Sequence, residues 1–361
     1  MKKKDILRRF SQMSEMELNE IIAICRKHKP QKADGLQVIT IPEHLKKGSY
    51  DALTSDDELL RIIQEFPTCL TSVEPPSKAL AEKCKKIYVD NCFCFDETGE
   101  LFVQKVLEYA ASYQTKPLIL YGSPGCGKSH RASVLASMMG LPYERTDIPL
   151  STYASGLAGE CGGYKNASMG ILAKGMFRAK SCNLLLNSEE LDKEARFEGR
   201  PSYSDQFLKV LDQDATHFRD NRLGFDIDVS HIVYVFTAND KTKISTPMLD
   251  RCDVLELSSP GKEDMERIVR GAVIPKALEK VQANSDISFS EEAVDYILRM
   301  LWQGDDTSIR QYQNLVSNCV SAANYTCICE ERPVIIQLSD VEMQMRRMRP
   351  VASPKNKIGF I

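Results

Sequence analysis

The segment Gly122-Ser-Pro-Gly-Cys-Gly-Lys128-Ser129 restricts the possible folds of this chain more than any other stretch of its sequence. It has the spacing of a phosphate-binding loop, in which a glycine and four further residues are followed by Gly-Lys-Ser. An apolar run over 117–121 precedes it and a helical pattern over 128–139 follows it, as the motif requires. The glycines let backbone amides point at phosphate oxygens, and the helix N-terminus adds positive charge. We therefore predict a nucleoside triphosphate site, with ATP as the nucleotide.

The roles of individual loop residues follow from this geometry. Lys128 would reach the β- and γ-phosphates, and the Ser129 hydroxyl would bind Mg²⁺. ATP and Mg²⁺ are therefore the expected cofactors. The residues expected to contact them are Gly122, Ser123, Pro124, Gly125, Cys126, Gly127, Lys128, Ser129 and His130.

The pattern around this loop predicts an α/β fold. Apolar runs predict strands at 117–121, 183–186, 231–238 and 254–257. Helical spacing predicts helices between and around them, including 97–112 and 128–139. Strands that alternate with helices indicate a parallel sheet that is covered on both faces.

The chain divides into three predicted regions. Residues 1–92 form a mostly helical N-terminal region whose role the sequence does not indicate. Residues 93–258 form the nucleotide-binding core. Residues 259–361 form a mostly helical domain with a C-terminal tail, in which 262–281 is predicted as one helix.

The composition limits the classes of partner. The chain has 361 residues, a net charge of −3 and 43% hydrophobic residues, which is typical of a soluble globular protein without a field that would recruit nucleic acid. No run approaches the roughly 18–20 apolar residues that cross a bilayer, and the N-terminus lacks the apolar region of a signal peptide. We therefore expect a cytoplasmic protein with neither a membrane nor a nucleic-acid partner.

Three stretches, in this order, resemble the AAA+ ATPases and, within them, the ATPase part of Lon protease. They are the loop at 122–129, LKVLDQDATHFRDNRLGFDIDVSHIVYVFTAND at 208–240 and TPMLDRCDVLEL at 246–257. The resemblance covers roughly residues 95–345. It implies a P-loop AAA+ core with a parallel sheet, followed by a small and mostly helical lid domain.

The resemblance also implies an acidic motif after an apolar strand, and this stretch allows two registers. Matching Glu-Leu-Asp-Lys to the Glu-Ile-Asp-Lys of the family makes Glu189 the Mg²⁺ ligand, through water, and Glu190 the residue that activates the attacking water. The apolar run, however, stops at Leu186. If the strand ends there, Asn187 and Ser188 occupy the two positions, and hydrolysis would be weak or lost.

Three further residues resemble site residues of the family. Asn239, at the end of the strand 231–238, would position the attacking water; the alternative is an asparagine that only forms a turn. Arg251 resembles the arginine finger, which a neighbouring subunit supplies to the transition state; the alternative is a surface ion pair with Asp250 or Asp253. Arg310 resembles the second sensor of the lid, where the alternative is a solvated arginine.

A finger that acts on a neighbouring subunit implies a homo-oligomeric ring, by analogy a hexamer. Members of the family thread a protein substrate through such a ring with an aromatic residue on a mobile loop, and Tyr164 in Gly162–Gly170 matches that position. The segment Thr216-His217-Phe218-Arg219 matches a second pore loop. The alternative for Tyr164 is a buried tyrosine in an ordered turn. The alternative for His217 is an exposed loop residue without a role in a pore.

The leading functional hypothesis is a Lon-like ATPase that remodels or unfolds other proteins. Because the chain ends about a hundred residues after Arg251, we expect no intrinsic protease domain. The second hypothesis is an ATP-controlled switch or scaffold with weak or no hydrolysis, which the irregular acidic motif suggests. A third, a DNA-associated factor, rests only on the basic chain ends.

Overall fold

The computed structural model describes residues 36–46, 57–148, 155–160, 167–194, 202–212, 214–281, 286–302, 304, 307–330 and 332–348. These residues form two compact units. The described residues up to Gly122 and those of 128–257 form the first unit. The described residues of 123–127 and those from Ser258 onward form the second unit.

A parallel sheet organises the first unit. Its strands run in the spatial order β2-β3-β6-β1-β7, and each neighbouring pair is parallel. A separate antiparallel hairpin is formed by β4 and β5. The strands are β1 (Leu118–Gly122), β2 (Tyr143–Asp147), β3 (Leu185–Glu189), β4 (Phe218–Asp220), β5 (Phe225–Ile227), β6 (Val233–Ala238) and β7 (Asp253–Leu257).

Helices surround this sheet, as expected for parallel strands that need cover on both faces. They are α1 (Glu43–Lys46), α2 (Asp57–Glu65), α3 (Lys78–Cys92), α4 (Glu97–Ser112), α5 (Lys128–Met139), α6 (Ser155–Ala158), α7 (Ile171–Ala179), α8 (Tyr203–Leu211) and α9 (Thr246–Arg251). The predicted helices 97–112 and 128–139 are confirmed. Helix α4 begins where the Asp96 carboxylate accepts from the Gly99 amide, and it ends where Tyr113 adopts a left-handed conformation.

The central strands are buried along their whole length. Every residue of β6 is buried, and so is every residue of β3. The ring of Phe207 on α8 packs edge-on against Phe236 of β6, with ring centres 5.0 Å apart. This apolar packing holds the central strands, whose carboxyl ends lie at one edge of the sheet because the strands are parallel.

Two strands of the parallel sheet differ from the prediction. The strand predicted at 183–186 is β3, Leu185–Glu189, because Asn187 and Ser188 continue the parallel pairing with β6 despite their polar side chains. The strand β2 was not predicted, since its sequence Tyr-Glu-Arg-Thr-Asp has no apolar alternation. It lies at the edge of the sheet, where pairing with β3 alone forms it.

Described residues before 93 contact the segment that leads into β3. The Thr71 amide donates to Asn183 Oδ1 at 2.7 Å, and Asn183 Nδ2 donates back to the Thr71 carbonyl at 3.0 Å. The Cys182 amide donates to the Cys69 carbonyl at 3.0 Å. This part of the N-terminal region therefore belongs to the same compact unit as the nucleotide-binding sheet.

Helices dominate the second unit. They are α10 (Lys262–Ile268), α11 (Ile274–Glu279), α12 (Glu291–Leu301), α13 (Ile309–Glu330) and α14 (Leu338–Met348), with a parallel strand pair β8 (Ile287–Phe289) and β9 (Val334–Ile336). The single helix predicted over 262–281 is wrong in detail, because a π-helical turn at Val269–Val273 separates α10 from α11. Among the described residues, no helix has the length and apolar character needed to cross a bilayer.

A buried lysine ties α4 to β7. Lys105 is only 1% exposed, and its ammonium donates to Asp253 Oδ2 and to the Lys116 carbonyl, both at 2.8 Å. Lys116 also pairs with Asp253 at 3.1 Å. Burial by itself would raise the pKa of Asp253, but the two lysines outweigh burial and hold it below its ordinary value.

We expect Asp253→Ala to lower the free energy of unfolding by about 2 kcal/mol, because the variant leaves the Lys105 ammonium buried without its counter-ion. The loss of one partner of a buried pair costs about 3–5 kcal/mol, and this figure is reduced because Asp253 itself is partly exposed. Urea titration measures the change, with the exposed Asp90→Ala as the matched control. Equal stability of the two variants would contradict the assignment.

Candidate functional site

The carboxyl ends of three adjacent strands form the candidate site. β1 runs into the glycine-rich loop at Gly122, β6 ends next to Asn239, and β3 ends at Glu189. These strands are neighbours in the order β3-β6-β1. Because parallel strands end at the same edge of the sheet, the residues that follow them converge there, which is where open α/β sheets bind ligands.

The loop backbone requires glycine at two positions. Gly125 has φ +84° and Gly127 has φ +96°, in the left-handed region that disfavours other residues. Within the second unit, the Gly125 carbonyl accepts from the Ile309 amide at 3.2 Å, and a Cβ at Gly125 would lie 2.0 Å from Ser308 Oγ. These two left-handed glycines give the loop the kind of backbone turn in which successive amides can bind an anion.

The Lys128 side chain reaches the end of β6. Its ammonium donates to the Gly122 carbonyl at 2.8 Å and to Asn239 Oδ1 at 2.9 Å. The first residue of α5 and the residue after β6 are thus in direct contact. Ser129, beside Lys128, is partly buried, whereas His130 is exposed and its Nε2 lies 3.0 Å from the Asn91 carbonyl.

The acidic residues occupy the end of β3. Glu189 is the last strand residue and is 7% exposed. Glu190 follows with φ 62°, an uncommon conformation for a residue other than glycine, and its half-exposed carboxylate accepts from Lys193. Asn187 and Ser188 are fully buried within the strand. The strand therefore continues past Leu186, and it is Glu189 and Glu190 that stand at its carboxyl end.

Polar side chains around Glu189 link it to helix α5, which follows the loop. Asn187 Nδ2 donates to Glu189 Oε1 at 3.1 Å and to the Tyr143 hydroxyl at 2.9 Å. The Tyr143 hydroxyl in turn lies 3.5 Å from the Ser129 carbonyl. Arg145 contacts Glu189 Oε2 at 2.7 Å. Tyr143 and Arg145 were missed because they belong to β2, the strand that the sequence pattern does not reveal.

Arg251 is the last residue of helix α9 and forms a bidentate ion pair. Its Nε and Nη2 donate to the two Asp212 oxygens at 2.6 and 2.9 Å. The paired carboxylate is therefore that of Asp212, which the sequence did not suggest, rather than Asp250 or Asp253. The side chain remains accessible, since about a third of its surface is exposed.

Arg310 lies in the first turn of α13 and is exposed. It directly follows Ile309, the residue whose amide donates to the Gly125 carbonyl within the second unit. Its role as a second sensor stays a prediction.

Tyr164 lies outside the described residues, whereas the residues that flank its segment are described. The Glu160 amide donates to the Ser168 carbonyl at 3.0 Å. A Cβ at Gly170 would lie 2.0 Å from the Leu157 carbonyl oxygen, so only glycine fits there. The two flanks of the predicted pore-loop segment are therefore in close backbone contact.

The hairpin β4–β5 is bonded to these flanks. The buried Asp220 accepts from the amides of Gly170, Arg222 and Leu223 at 2.8–3.0 Å. The Asn221 amide donates to the Ala158 carbonyl at 2.7 Å. Burial raises the pKa of Asp220, although these amides stabilise its charged form. The exposed His217 precedes this hairpin, so the base of the predicted second pore loop is joined to the flanks of the first.

We expect Asp220→Ala to lower the free energy of unfolding by about 3 kcal/mol, because three amides lose their acceptor in a buried position. The matched control is Asp226→Ala on the same hairpin, where an exposed pair with Arg219 contributes at most about 0.5 kcal/mol. Urea titration of both variants measures the difference. Similar losses in the two variants would show that the Asp220 bonds do not hold the hairpin.

The residues at this edge fit a magnesium nucleotide. A hydroxyl at Ser129 and a carboxylate at Glu189 are oxygen ligands of the kind that Mg²⁺ prefers. The positive-φ glycines, the amides at the start of α5 and the Lys128 ammonium are suited to phosphate. When bound, Mg²⁺ would neutralise charge on the phosphates during transfer.

Comparisons with known proteins agree with this geometry. The family described as "ATPase family associated with various cellular activities (AAA)" matches residues 118–259, which span β1 to β7 and the polar residues between them. These are the strands whose carboxyl ends form the candidate site.

Curated relatives are Lon proteases. That of Mycoplasma pneumoniae is 28% identical over 298 residues, covering 77% of this chain and 36% of the relative. That of Porphyromonas gingivalis is 30% identical over 204 residues, covering 54% and 24%. That of Campylobacter jejuni is 32% identical over 184 residues, covering 50% and 23%. The chain thus spans about a third or less of the length of these relatives. With the parallel sheet and the loop geometry, these matches show that the chain carries an AAA+ ATPase module similar to that of Lon protease.

Proposed function

We propose that this protein binds ATP with Mg²⁺, hydrolyses it and uses the energy to remodel or unfold other proteins as a ring-shaped homo-oligomer. The observation that carries the proposal is the contact of Lys128 with Asn239 at the edge where β3 presents Glu189 and Glu190. A phosphate-binding lysine, a polar residue beside it and an acidic strand end are the groups that phosphoryl transfer from ATP requires.

Each residue then has a defined task. The loop amides and Lys128 hold the phosphates, while Ser129 and Glu189 hold the metal. Glu190 accepts a proton from the attacking water, which Asn239 orients. Arg251, supplied by a neighbouring subunit, would stabilise the transition-state charge, and Arg310 would sense the γ-phosphate from the lid.

Two features support an assembly and a protein substrate. Arg251 forms its ion pair at an accessible position. A nucleotide bound to a neighbouring subunit could replace Asp212 as its partner there. The flanks of the Tyr164 segment are fastened to the β4–β5 hairpin, which would carry the second pore loop. Paired loops at these positions would grip a polypeptide that passes through the ring.

The test combines nucleotide binding, phosphate release and mass. We expect micromolar ATP binding, steady phosphate release and a rise in molar mass by light scattering when ATP is added. Stimulation of turnover by an unfolded protein such as casein would support remodelling. Absence of ATP binding would refute the proposal as a whole, whereas binding and turnover by a monomer would refute only the ring.

A second candidate is an ATP-controlled switch with slow hydrolysis. The observation that favours it is the engagement of both Glu189 oxygens by Asn187 and Arg145, which leaves this carboxylate less available to a metal ion. Tight ATP binding and ATP-dependent assembly without phosphate release would select the switch over the motor.

A further inference from the structure

The guanidinium of Arg145 contacts the carboxylate of Glu189, the last residue of β3. Arg145 Nη2 lies 2.7 Å from Glu189 Oε2, and the Glu189 side chain is only 9% exposed. The same nitrogen lies 3.3 Å from Asp147 Oδ1, at the exposed end of β2. The guanidinium therefore bridges a buried carboxylate and an accessible one.

Strand register produces this arrangement. In the parallel pairing of β2 with β3, Arg145 pairs with Asn187 and Asp147 pairs with Glu189. Paired residues project to the same face of the sheet. Arg145 thus lies diagonally across from Glu189, within reach of a long side chain. Asn187 approaches the same carboxylate from within β3 and donates to its other oxygen.

A carboxylate in this state is satisfied without a metal ion. Its two oxygens accept from a guanidinium and from an amide, and the guanidinium supplies a full positive charge. A divalent cation that approaches Glu189, directly or through water, meets that charge at short range. The two cations therefore compete for one buried carboxylate.

We propose that Arg145 is an internal counter-cation of Glu189 that competes with the divalent metal and so sets the metal concentration needed for metal–nucleotide binding. This inference rests on the proposed function, since it takes Glu189 as a metal ligand. Asp147 is the accessible carboxylate that receives Arg145 when the metal takes Glu189. Arg145 acts through Glu189 and is a positioning residue, not a catalytic one.

The test measures metal binding without catalysis. Mn²⁺ replaces Mg²⁺, and loss of the free Mn²⁺ signal in electron paramagnetic resonance reports its binding to the protein–ADP complex. We expect Arg145→Gln to bind Mn²⁺ about three- to fivefold more tightly than the wild type, the scale of one partly exposed ion pair. Arg145→Lys keeps the charge and should stay within twofold of the wild type.

A matched control and a double variant make the test specific. Arg178→Gln removes an exposed arginine of helix α7. Arg178 pairs with Glu144, which lies on β2 as Arg145 does, and its loss should leave Mn²⁺ affinity unchanged. In a Glu189→Gln background, Arg145→Gln should have no further effect, because its target carboxylate is gone. A tightening of equal size in that background would overturn the inference, as would unchanged or weaker Mn²⁺ binding by Arg145→Gln.

ADP affinity without metal separates this inference from the proposed function. If wild-type protein does not bind ADP, the proposed nucleotide site is wrong. If all variants bind ADP but bind Mn²⁺ equally, the site stands and the role of Arg145 is wrong. A loss of metal-free ADP binding in Arg145→Gln would show that Arg145 contacts the nucleotide, which also overturns the inference.

Discussion

Glu190→Gln is expected to bind ATP as tightly as the wild type and to lose ATP turnover by about 10²- to 10³-fold. Glu190 follows the buried strand β3, and its carboxylate is half exposed at the edge where Lys128 and Asn239 meet. A glutamine keeps the size of the side chain but cannot accept a proton from water, and a positioned general base contributes on this scale. Phosphate release and equilibrium binding of a fluorescent ATP analogue measure the two properties separately.

Two comparisons show whether the loss is specific to Glu190. Glu144→Gln, on the partner strand β2, removes a carboxylate that pairs with the exposed Arg178 and should keep wild-type turnover. Ser188→Ala tests the alternative register, in which Asn187 and Ser188 would face the phosphate. Because Ser188 is fully buried in β3, this variant should also keep turnover. Full turnover in Glu190→Gln would remove Glu190 from the mechanism.

Lys128→Ala is expected to weaken ATP binding by about ten- to a hundredfold and to abolish measurable turnover. The ammonium belongs to the first residue after the loop, and it is partly buried between the Gly122 carbonyl and Asn239. A hydrogen bond to a charged phosphate contributes about 1.5–3 kcal/mol, which corresponds to this range of affinity. Titration calorimetry with ATP and Mg²⁺ measures the change directly.

The control for Lys128→Ala is Lys85→Ala on α3, which removes an exposed lysine that pairs with Glu82. It should bind ATP like the wild type. Thermal unfolding of both variants shows whether the loss of binding reflects a damaged fold, because Lys128 also holds Asn239 in place. Unchanged ATP affinity in a folded Lys128→Ala would contradict the assignment of the loop as the phosphate site.

Taken together, the two variants distinguish a motor from a switch. A motor loses turnover in both variants but keeps binding in Glu190→Gln. A switch has little turnover to lose, so Glu190→Gln changes nothing while Lys128→Ala still removes binding and any assembly that depends on it. If Arg145→Gln raises the turnover of a switch, its slow hydrolysis results from the contact of Arg145 with the Glu189 carboxylate.

The sequence alone determined those parts of the protein in which local chemistry dominates. The glycine spacing of the loop, the apolar strand before it and the helix after it predict the strand–loop–helix unit, because each depends on a short stretch of chain. Helix α4 and helix α5 have the predicted bounds, since helical periodicity and capping act within a few turns. The ordered motifs likewise pointed to the AAA+ fold, which the parallel sheet confirms.

Tertiary structure decided the remainder, where pairing between distant segments overrides local pattern. The polar sequence of β2 becomes a strand only because β3 offers it backbone partners, and β3 continues through Asn187 and Ser188 only because β6 lies on its other side. That pairing placed Glu189 and Glu190 at the strand end and brought Arg145 onto Glu189. Long-range backbone pairing leaves no periodic trace in one short segment, so the sequence left the end of this strand open, and the sheet extends it to Glu189.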